Sequence, residues 1–161
     1  MTQDELHKIL NYNKDTGDFY WKIKPAKNIF IGQKAGHIKT NQYFSVRYKS
    51  KQYGAHRLAW LYVYGEMPDI IDHINGNSLD NRIENLRKCN KSQNGQNSKI
   101  AINNSSGSKN VCWDKNRNKW AVIVRVNGLK KLFGRFDDLE LADLVAVEAR
   151  NKYHGNFARH F

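Results

Sequence analysis

The segment from Asp72 to Asn97, DHINGNSLDNRIENLRKCNKSQNGQN, constrains the fold of this chain more than any other. It is polar and rich in turn-forming residues, and its few apolar residues recur at regular intervals: Ile74, Leu79, Ile83 and Leu86. Those residues can pin a loop to a core, but they are too few to make a core of their own. The composition is therefore typical of a loop shaped to hold polar groups.

Two neighbouring side chains at the start of this segment suggest metal-assisted phosphodiester cleavage. Asp72 offers a hard oxygen ligand of the kind that Mg²⁺ prefers. His73 can accept a proton from water near neutral pH, because an unperturbed imidazole has a pKa of about 6.5. In an extended segment, successive side chains point to opposite faces. One residue could thus hold a metal ion while the other faces the attacking water, and the following helical run can supply Asn94 as a second ligand.

The spacing of Asp72-His73, Asn85-Leu86-Arg87 and Asn94 resembles that of the HNH endonucleases, in the branch where asparagine replaces the last histidine. The upstream residues HRLAW, starting at His56, and GEMP, starting at Gly65, are similar to those of phage homing endonucleases of this type. The resemblance implies a hairpin–helix (ββα-metal) module. It also implies that Asp72 and Asn94 bind Mg²⁺ (or Mn²⁺), that His73 is the general base, and that Asn85 holds the loop in shape by hydrogen bonds.

Several nearby polar residues have simpler interpretations. Asn90 precedes a polar helical run and suits a helix N-cap. Asn97 suits a solvated helix end, which leaves Asn94 as the candidate ligand among these three neighbouring asparagines. His56 precedes an apolar helical segment, where a histidine is typically packed or hydrogen-bonded, and a contact with DNA is the alternative.

Charge is distributed unevenly along the 161 residues, whose formal net charge is +12. Residues 1–55 carry +6 and residues 105–161 carry +5, whereas residues 56–104 carry only +1. Basic flanks around a nearly neutral catalytic segment are the pattern expected for a protein that holds a polyanion at both ends. The chain shows no secretory signal and no apolar run near the roughly 20 residues needed to span a bilayer. We therefore expect a cytoplasmic protein without a membrane partner.

The first third of the chain predicts a helix followed by small antiparallel strands. Thr2 and Glu5 form a capping-box pattern ahead of apolar residues at helical spacing. The motif TGDFYWK, starting at Thr16, predicts a turn and a strand, and it also resembles the start of phage HNH proteins. Residues 37–55 alternate loosely and predict a small sheet, and residues 56–64 predict a short helix ended by Gly65.

The last third predicts three antiparallel strands and one helix. The strands cover Val111 to Trp113, Lys119 to Val126 and Leu129 to Phe136, and Asn127-Gly128 forms the hairpin turn. Asp137 with Glu140 predicts the start of a helix that Gly155 ends. One face of the sheet must pack against this helix, so the other face is available to a partner such as a DNA major groove.

Residues 108–158 closely resemble the Apetala/ethylene-response-factor DNA-binding domain, through VCWDKNRNKWAVIVRVNGLKKLFGRF and the following helix. By position, Arg125 and Lys130 match basic residues with which that family contacts DNA. Cys112, Asp114, Ile123 and Leu132 depart from the plant pattern. Arg57, Lys109 and Arg117 are further candidates for DNA contacts, the last two as neighbours of phosphates.

Together these observations predict an α+β protein with a hairpin–helix nuclease module and a three-stranded sheet with one packed helix. The predicted division is residues 1–98 for the nuclease module with its basic N-terminal segment, 99–109 for a linker and 110–161 for the Apetala-like module. The predicted function is a metal-dependent HNH endonuclease acting on double-stranded DNA, with Mg²⁺ as its metal ion and no small-molecule cofactor. The phage-type resemblance implies a homing endonuclease working in an infected bacterial host. The chief alternative is a DNA-binding regulator whose nuclease has decayed, and a second is an RNA-binding or RNA-cleaving protein. The oligomeric state stays open.

Overall fold

A computed structural model describes residues 1–40 and 42–160, which form two compact units, Met1–Cys89 and Asn90–Phe161. Both units combine helices with small antiparallel sheets, so the predicted α+β class is confirmed. The functional division predicted from the sequence stays a prediction. Within the described residues, no helix has the length and apolar character that crossing a bilayer requires.

The first unit opens with helix α1 (Gln3–Ile9), which begins where the Thr2 hydroxyl accepts a hydrogen bond from the Glu5 backbone N–H. Strands β1 (Leu10–Tyr12) and β2 (Phe19–Trp21) pair antiparallel. Strands β3 (His37–Ile38), β4 (Phe44–Tyr48) and β5 (Lys51–Gly54) form a second sheet in that order. Helix α2 (Ala55–Tyr64) follows and ends at Gly65, as predicted.

The core of the first unit lies where these elements meet. Its fully buried members include Leu6, Leu10, Phe19 and Leu58. Strand β6 (Ile71–His73), a 3-10 turn (Ile83–Asn85) and strand β7 (Leu86–Lys88) complete the unit. Leu86 belongs to the buried cluster, and Ile71 and Ile83 pack against it. Few apolar residues therefore attach the polar segment to the core, as its composition predicts.

The second unit begins with helix α3 (Lys91–Gln96), capped by Asn90 in the predicted manner. The sheet consists of β8 (Val111–Asp114), β9 (Lys119–Val126) and β10 (Leu129–Phe136), with β9 in the centre. Helix α4 (Leu139–His154) packs on one face, where Val122 and Val124 meet Ala142 and Ala146. The predicted strands and helix are thus present.

One predicted cap is wrong by a single residue. The N-cap of α4 is Asp138, whose carboxylate accepts from the Leu141 backbone N–H at 2.7 Å. Asp137 instead pairs with Lys119 at 2.8 Å. Either aspartate could cap a helix, since the side chains are identical. In the structure Asp137 is engaged by Lys119, and Asp138 caps the helix.

Gly17 lies where the N-terminal turn packs against the backbone of the polar segment. Its φ is +77°, and an added Cβ would lie 2.6 Å from the backbone nitrogen of Arg82. Gly32 also has a positive φ, +83°, but an added Cβ there would meet nothing within 4 Å. Only a residue without a side chain therefore allows the TGDFYW turn to approach the Asn81–Arg82 backbone this closely.

We expect Gly17→Ala to lower the free energy of unfolding by more than Gly32→Ala does. The Gly32 variant carries the left-handed strain alone, which costs about 1–2 kcal/mol. The Gly17 variant adds a clash with backbone atoms that cannot move aside cheaply. Urea unfolding of the two variants beside the wild type measures the difference, and equal losses would show that the close approach contributes nothing.

Candidate functional site

The β6–β7 hairpin places Asp72 directly opposite Arg87. The Asp72 Oδ2 accepts from Arg87 Nε at 2.8 Å and pairs with Nη2 at 2.7 Å. Both side chains are largely buried, at 8% and 15% exposed. Two guanidinium nitrogens thus converge on one carboxylate oxygen, and charge-assisted contacts of this kind are strong enough to hold the carboxylate in place.

The imidazole of His73 is held by Asn81. Its Nε2 lies 3.3 Å from Asn81 Oδ1, and the Asn81 amide nitrogen donates to the Leu79 carbonyl at 3.1 Å. That second bond turns the amide oxygen toward the ring, an arrangement that suits an N–H group at Nε2. Burial lowers the pKa of His73, while the bond to Asn81 and the charges of Asp72 and Asp80 act in the opposite direction. Burial therefore favours the neutral form of the ring.

Asn85 ties together the loop that connects β6 to β7. Its Oδ1 accepts from the Asn75 backbone N–H at 3.0 Å. Its amide nitrogen donates to Asn75 Oδ1 at 3.1 Å and to the Asp80 carbonyl at 2.8 Å. At 6% exposure, Asn85 thus occupies a loop-holding position of the kind that the HNH resemblance implies.

Two further rings pack beside His73. The His56 ring centroid lies 5.4 Å from that of His73, and the Tyr43 centroid lies 5.6 Å from His56 and 6.2 Å from His73. Burial lowers the pKa of His56 to about 4, assisted by the neighbouring His73 and Arg57. His56 is accordingly packed, as the sequence predicts, but it packs against the candidate base.

The other candidate ligand, Asn94, lies in the second unit on helix α3 and is exposed. Both ends of this short helix are secured. Asn90 and Gln93 form a reciprocal capping box at the N-terminus. At the C-terminus, the Lys109 ammonium donates to the carbonyls of Gln96 at 2.9 Å and Ser98 at 2.5 Å.

Lys109 and Asn97 are less accessible than the sequence suggests. Lys109 is 8% exposed, and burial together with the charges of Arg150 and Arg159 lowers its pKa to about 8. A contact between Lys109 and a phosphate would require its ammonium to leave the carbonyls at the end of α3. The prediction of a solvated Asn97 is wrong, since it is 6% exposed and Lys109 binds the carbonyls on either side of it.

The remaining candidates for DNA contacts differ in their surroundings. Arg125 and Lys130 are exposed and directly opposite each other on β9 and β10. Arg117 is exposed and lies 3.4 Å from the Asp114 carboxylate. Arg57, in the first unit, is half-buried and donates to the Asp69 carbonyl at 3.3 Å.

The donor chemistry at Asp72 fits a hard divalent cation. Mg²⁺ is commonly bound through one or two carboxylates, with water and substrate phosphate completing its shell. Asp72 provides one oriented carboxylate, and an asparagine side chain such as Asn94 provides an amide oxygen of the same hard type. Across residues 1–40 and 42–160, no group of three or more His, Cys, Asp and Glu side chains could hold a metal ion.

Sequence reasoning did not identify the partners of the two central side chains. Arg87 belongs to the motif, but its pairing with Asp72 depends on the register of the hairpin. The sequence identifies Asn81 only as a turn residue. In the structure it is 3% exposed, and its side chain contacts His73. Its backbone carbonyl accepts a hydrogen bond from the Tyr12 hydroxyl at 2.7 Å. Burial of an asparagine within a polar loop is the feature that would identify Asn81 as a partner of His73. Burial cannot be inferred from residue type alone, so the sequence does not reveal it.

We expect the free energy of unfolding to fall between about pH 6.5 and pH 4 through His56. Because its folded-state pKa is lowered to about 4, the unfolded chain binds the proton more readily. The contribution is complete above the unfolded pKa of about 6.5 and reaches roughly 3 kcal/mol at most. Urea unfolding of wild type and His56→Gln across this range tests it. A variant with the same pH dependence as the wild type would contradict a buried neutral His56.

Comparison with known proteins assigns the chain to a family. The family model described as HNH endonuclease matches residues 53–96, which include the β6–β7 hairpin and α3. "Protein 3.8" of Escherichia phage T7 is 35% identical over 106 residues, covering 65% of this chain and 87% of that protein. The structure titled "DNA binding and cleavage by the HNH homing endonuclease I-HmuI" matches with a TM-score of 0.48 and 20% identity, covering 83% of this chain and 76% of that one. The chain belongs to the family of phage T7 Protein 3.8 and carries an HNH endonuclease domain in residues 53–96.

Proposed function

We propose that this protein is a metal-dependent DNA endonuclease that hydrolyses phosphodiester bonds in double-stranded DNA. The observation that carries the proposal is the arrangement on β6, within the HNH domain. There, the neutral imidazole of His73 is oriented by Asn81, and the adjacent Asp72 carboxylate is oriented by Arg87. A base and a hard oxygen ligand held on one short strand suit hydrolysis of a phosphate ester.

The chain's residues have distinct roles in the proposed reaction. His73 takes a proton from water, whose oxygen forms a bond to phosphorus as the bond to the 3′-oxygen breaks. The products carry a 5′-phosphate and, after protonation, a 3′-hydroxyl. Asp72 and Asn94 would hold Mg²⁺ (or Mn²⁺), which when bound stabilises charge on the phosphate and the leaving oxygen. Asn85 keeps the connecting loop in shape.

The second unit is proposed to bind DNA through the sheet face opposite α4. Arg125 and Lys130 face each other directly across β9 and β10. Like charges at directly opposed positions destabilise a sheet, and a polyanion bound between them would remove that cost. This supports the Apetala-like interpretation of the unit. It also fits the net charge of +5 in residues 105–161.

The biological role that we propose is that of a free-standing homing endonuclease encoded by a phage. The relative from Escherichia phage T7 supports a phage origin. Such an enzyme would act in the cytoplasm of the infected bacterium, where its DNA substrate lies.

Supercoiled plasmid with Mg²⁺ provides the direct test of catalysis. We expect nicked or linear product with the wild type, none in EDTA, and a loss of about 10²–10⁴-fold in rate for His73→Ala. His37→Ala is the matched control, because His37 is an exposed histidine on β3 of the same unit. Asp72→Asn should require more Mg²⁺ for half-maximal rate. Binding without cleavage in either Mg²⁺ or Mn²⁺ would overturn the proposal.

The sheet face is tested by the salt dependence of DNA binding in EDTA. We expect Arg125→Ala and Lys130→Ala each to reduce the slope of log affinity against log salt by about 1. Lys152→Ala, on α4, should leave the slope unchanged, because α4 packs on the opposite face of the sheet. Slopes equal to that of the wild type in both sheet variants would mean that DNA does not occupy this face.

A further inference from the structure

A polar cleft lies beside the candidate catalytic site, within the first unit. It has a volume of about 300 Å³ and lies between the β3–β4–β5 sheet and the start of α2. Lys39 and Arg57 contribute cationic groups to its lining, and the described residues that line it include no carboxylate. Such a lining favours an anion.

The cleft and the candidate base share a wall. His56 and Tyr43 both line the cleft, and both rings also pack against His73, at centroid distances of 5.4 Å and 6.2 Å. An anion in the cleft would therefore be separated from His73 by the rings of His56 and Tyr43. Neighbouring groups on a single polymer could occupy the cleft and the site at His73 together.

His56 has unused hydrogen-bonding capacity at this position. Its Nδ1 is buried and has no hydrogen-bond partner among the described residues. A buried polar atom without a partner costs about 1–3 kcal/mol. Gly54 preserves the position of the ring, because a Cβ on Gly54 would lie 2.8 Å from His56 Cε1.

We infer that this cleft is a second phosphate-binding site, in which Lys39, His56 and Arg57 hold a backbone phosphate of the DNA strand that enters the catalytic site. The inference rests on the proposed function and adds a subsite to it. Lys39 supplies a point charge, Arg57 supplies directional N–H donors, and the imidazole of His56 supplies one N–H to a phosphate oxygen. The site would position the strand while His73 acts on the neighbouring phosphate.

Binding is tested apart from catalysis, with a fluorescently labelled DNA duplex in EDTA at several salt concentrations. We expect Lys39→Ala to weaken binding and to reduce the salt slope by about 1. His56→Phe keeps a ring against His73 but has no N–H, so it should weaken binding by about 5-fold or more with little change in slope, as the loss of one hydrogen bond of about 1 kcal/mol implies. His56→Gln, which restores an N–H donor, should recover part of that loss. Lys8→Ala, an exposed lysine on α1, is the control for charge alone.

The outcomes separate this inference from the proposed function. If Lys39→Ala and His56→Phe bind with the affinity and slope of the wild type while the wild type cleaves plasmid, the subsite is absent and the nuclease stands. If the wild type never cleaves but the two variants bind more weakly than Lys8→Ala, the subsite stands and the nuclease proposal fails. Should His56→Phe unfold, Lys39→Ala against Lys39→Arg decides the question, since only the latter retains the charge.

Discussion

The ion pair between Asp72 and Arg87 is the interaction on which the candidate catalytic segment depends. It joins two strands of three residues each, β6 and β7, which are too short to fix their own pairing through backbone bonds alone. A shift by one residue would turn every side chain to the opposite face. It would then place Arg87 away from Asp72 and leave both charges buried without a partner, a change that typically costs several kcal/mol. The pair thus sets the register that also positions His73.

The loop between these strands is ordered by amides rather than by apolar burial. Asn81 and Asn85 are nearly inaccessible, and their side chains bond to an imidazole, to backbone groups and to Asn75. Amides suit this role because each offers both a donor and an acceptor and stays uncharged at every pH of interest. A loop built in this way keeps its shape without a core of its own.

Much of the fold was predictable because local signals agreed with tertiary structure. The Thr2 and Asn90 caps, the Gly65 and Gly155 helix ends and the Asn127-Gly128 hairpin each follow from residue chemistry within a few positions. The partners of Asp72 and His73 were not predictable, since they depend on strand register and burial. The environment of Lys109 was not predictable either, because a lysine in a Ser- and Asn-rich segment is typical of a solvated charge. Only the folded chain brings the carbonyls of Gln96 and Ser98 to its ammonium group.

The cationic side chains of this protein fall into two groups, those paired with carboxylates and those that lie near other cations. Some cations are neutralised in place, such as Arg87 by Asp72 and Arg135 by Asp114. Others lie near further cations, as Arg125 lies opposite Lys130 and as Lys39 and Arg57 line one cleft. Grouping like charges raises the free energy of the folded protein unless a counter-charge arrives, so these groups are costly in the absence of a ligand. A partner with a regular array of negative charges could neutralise such groups in both units, which is a property of nucleic acid and not of a small anion.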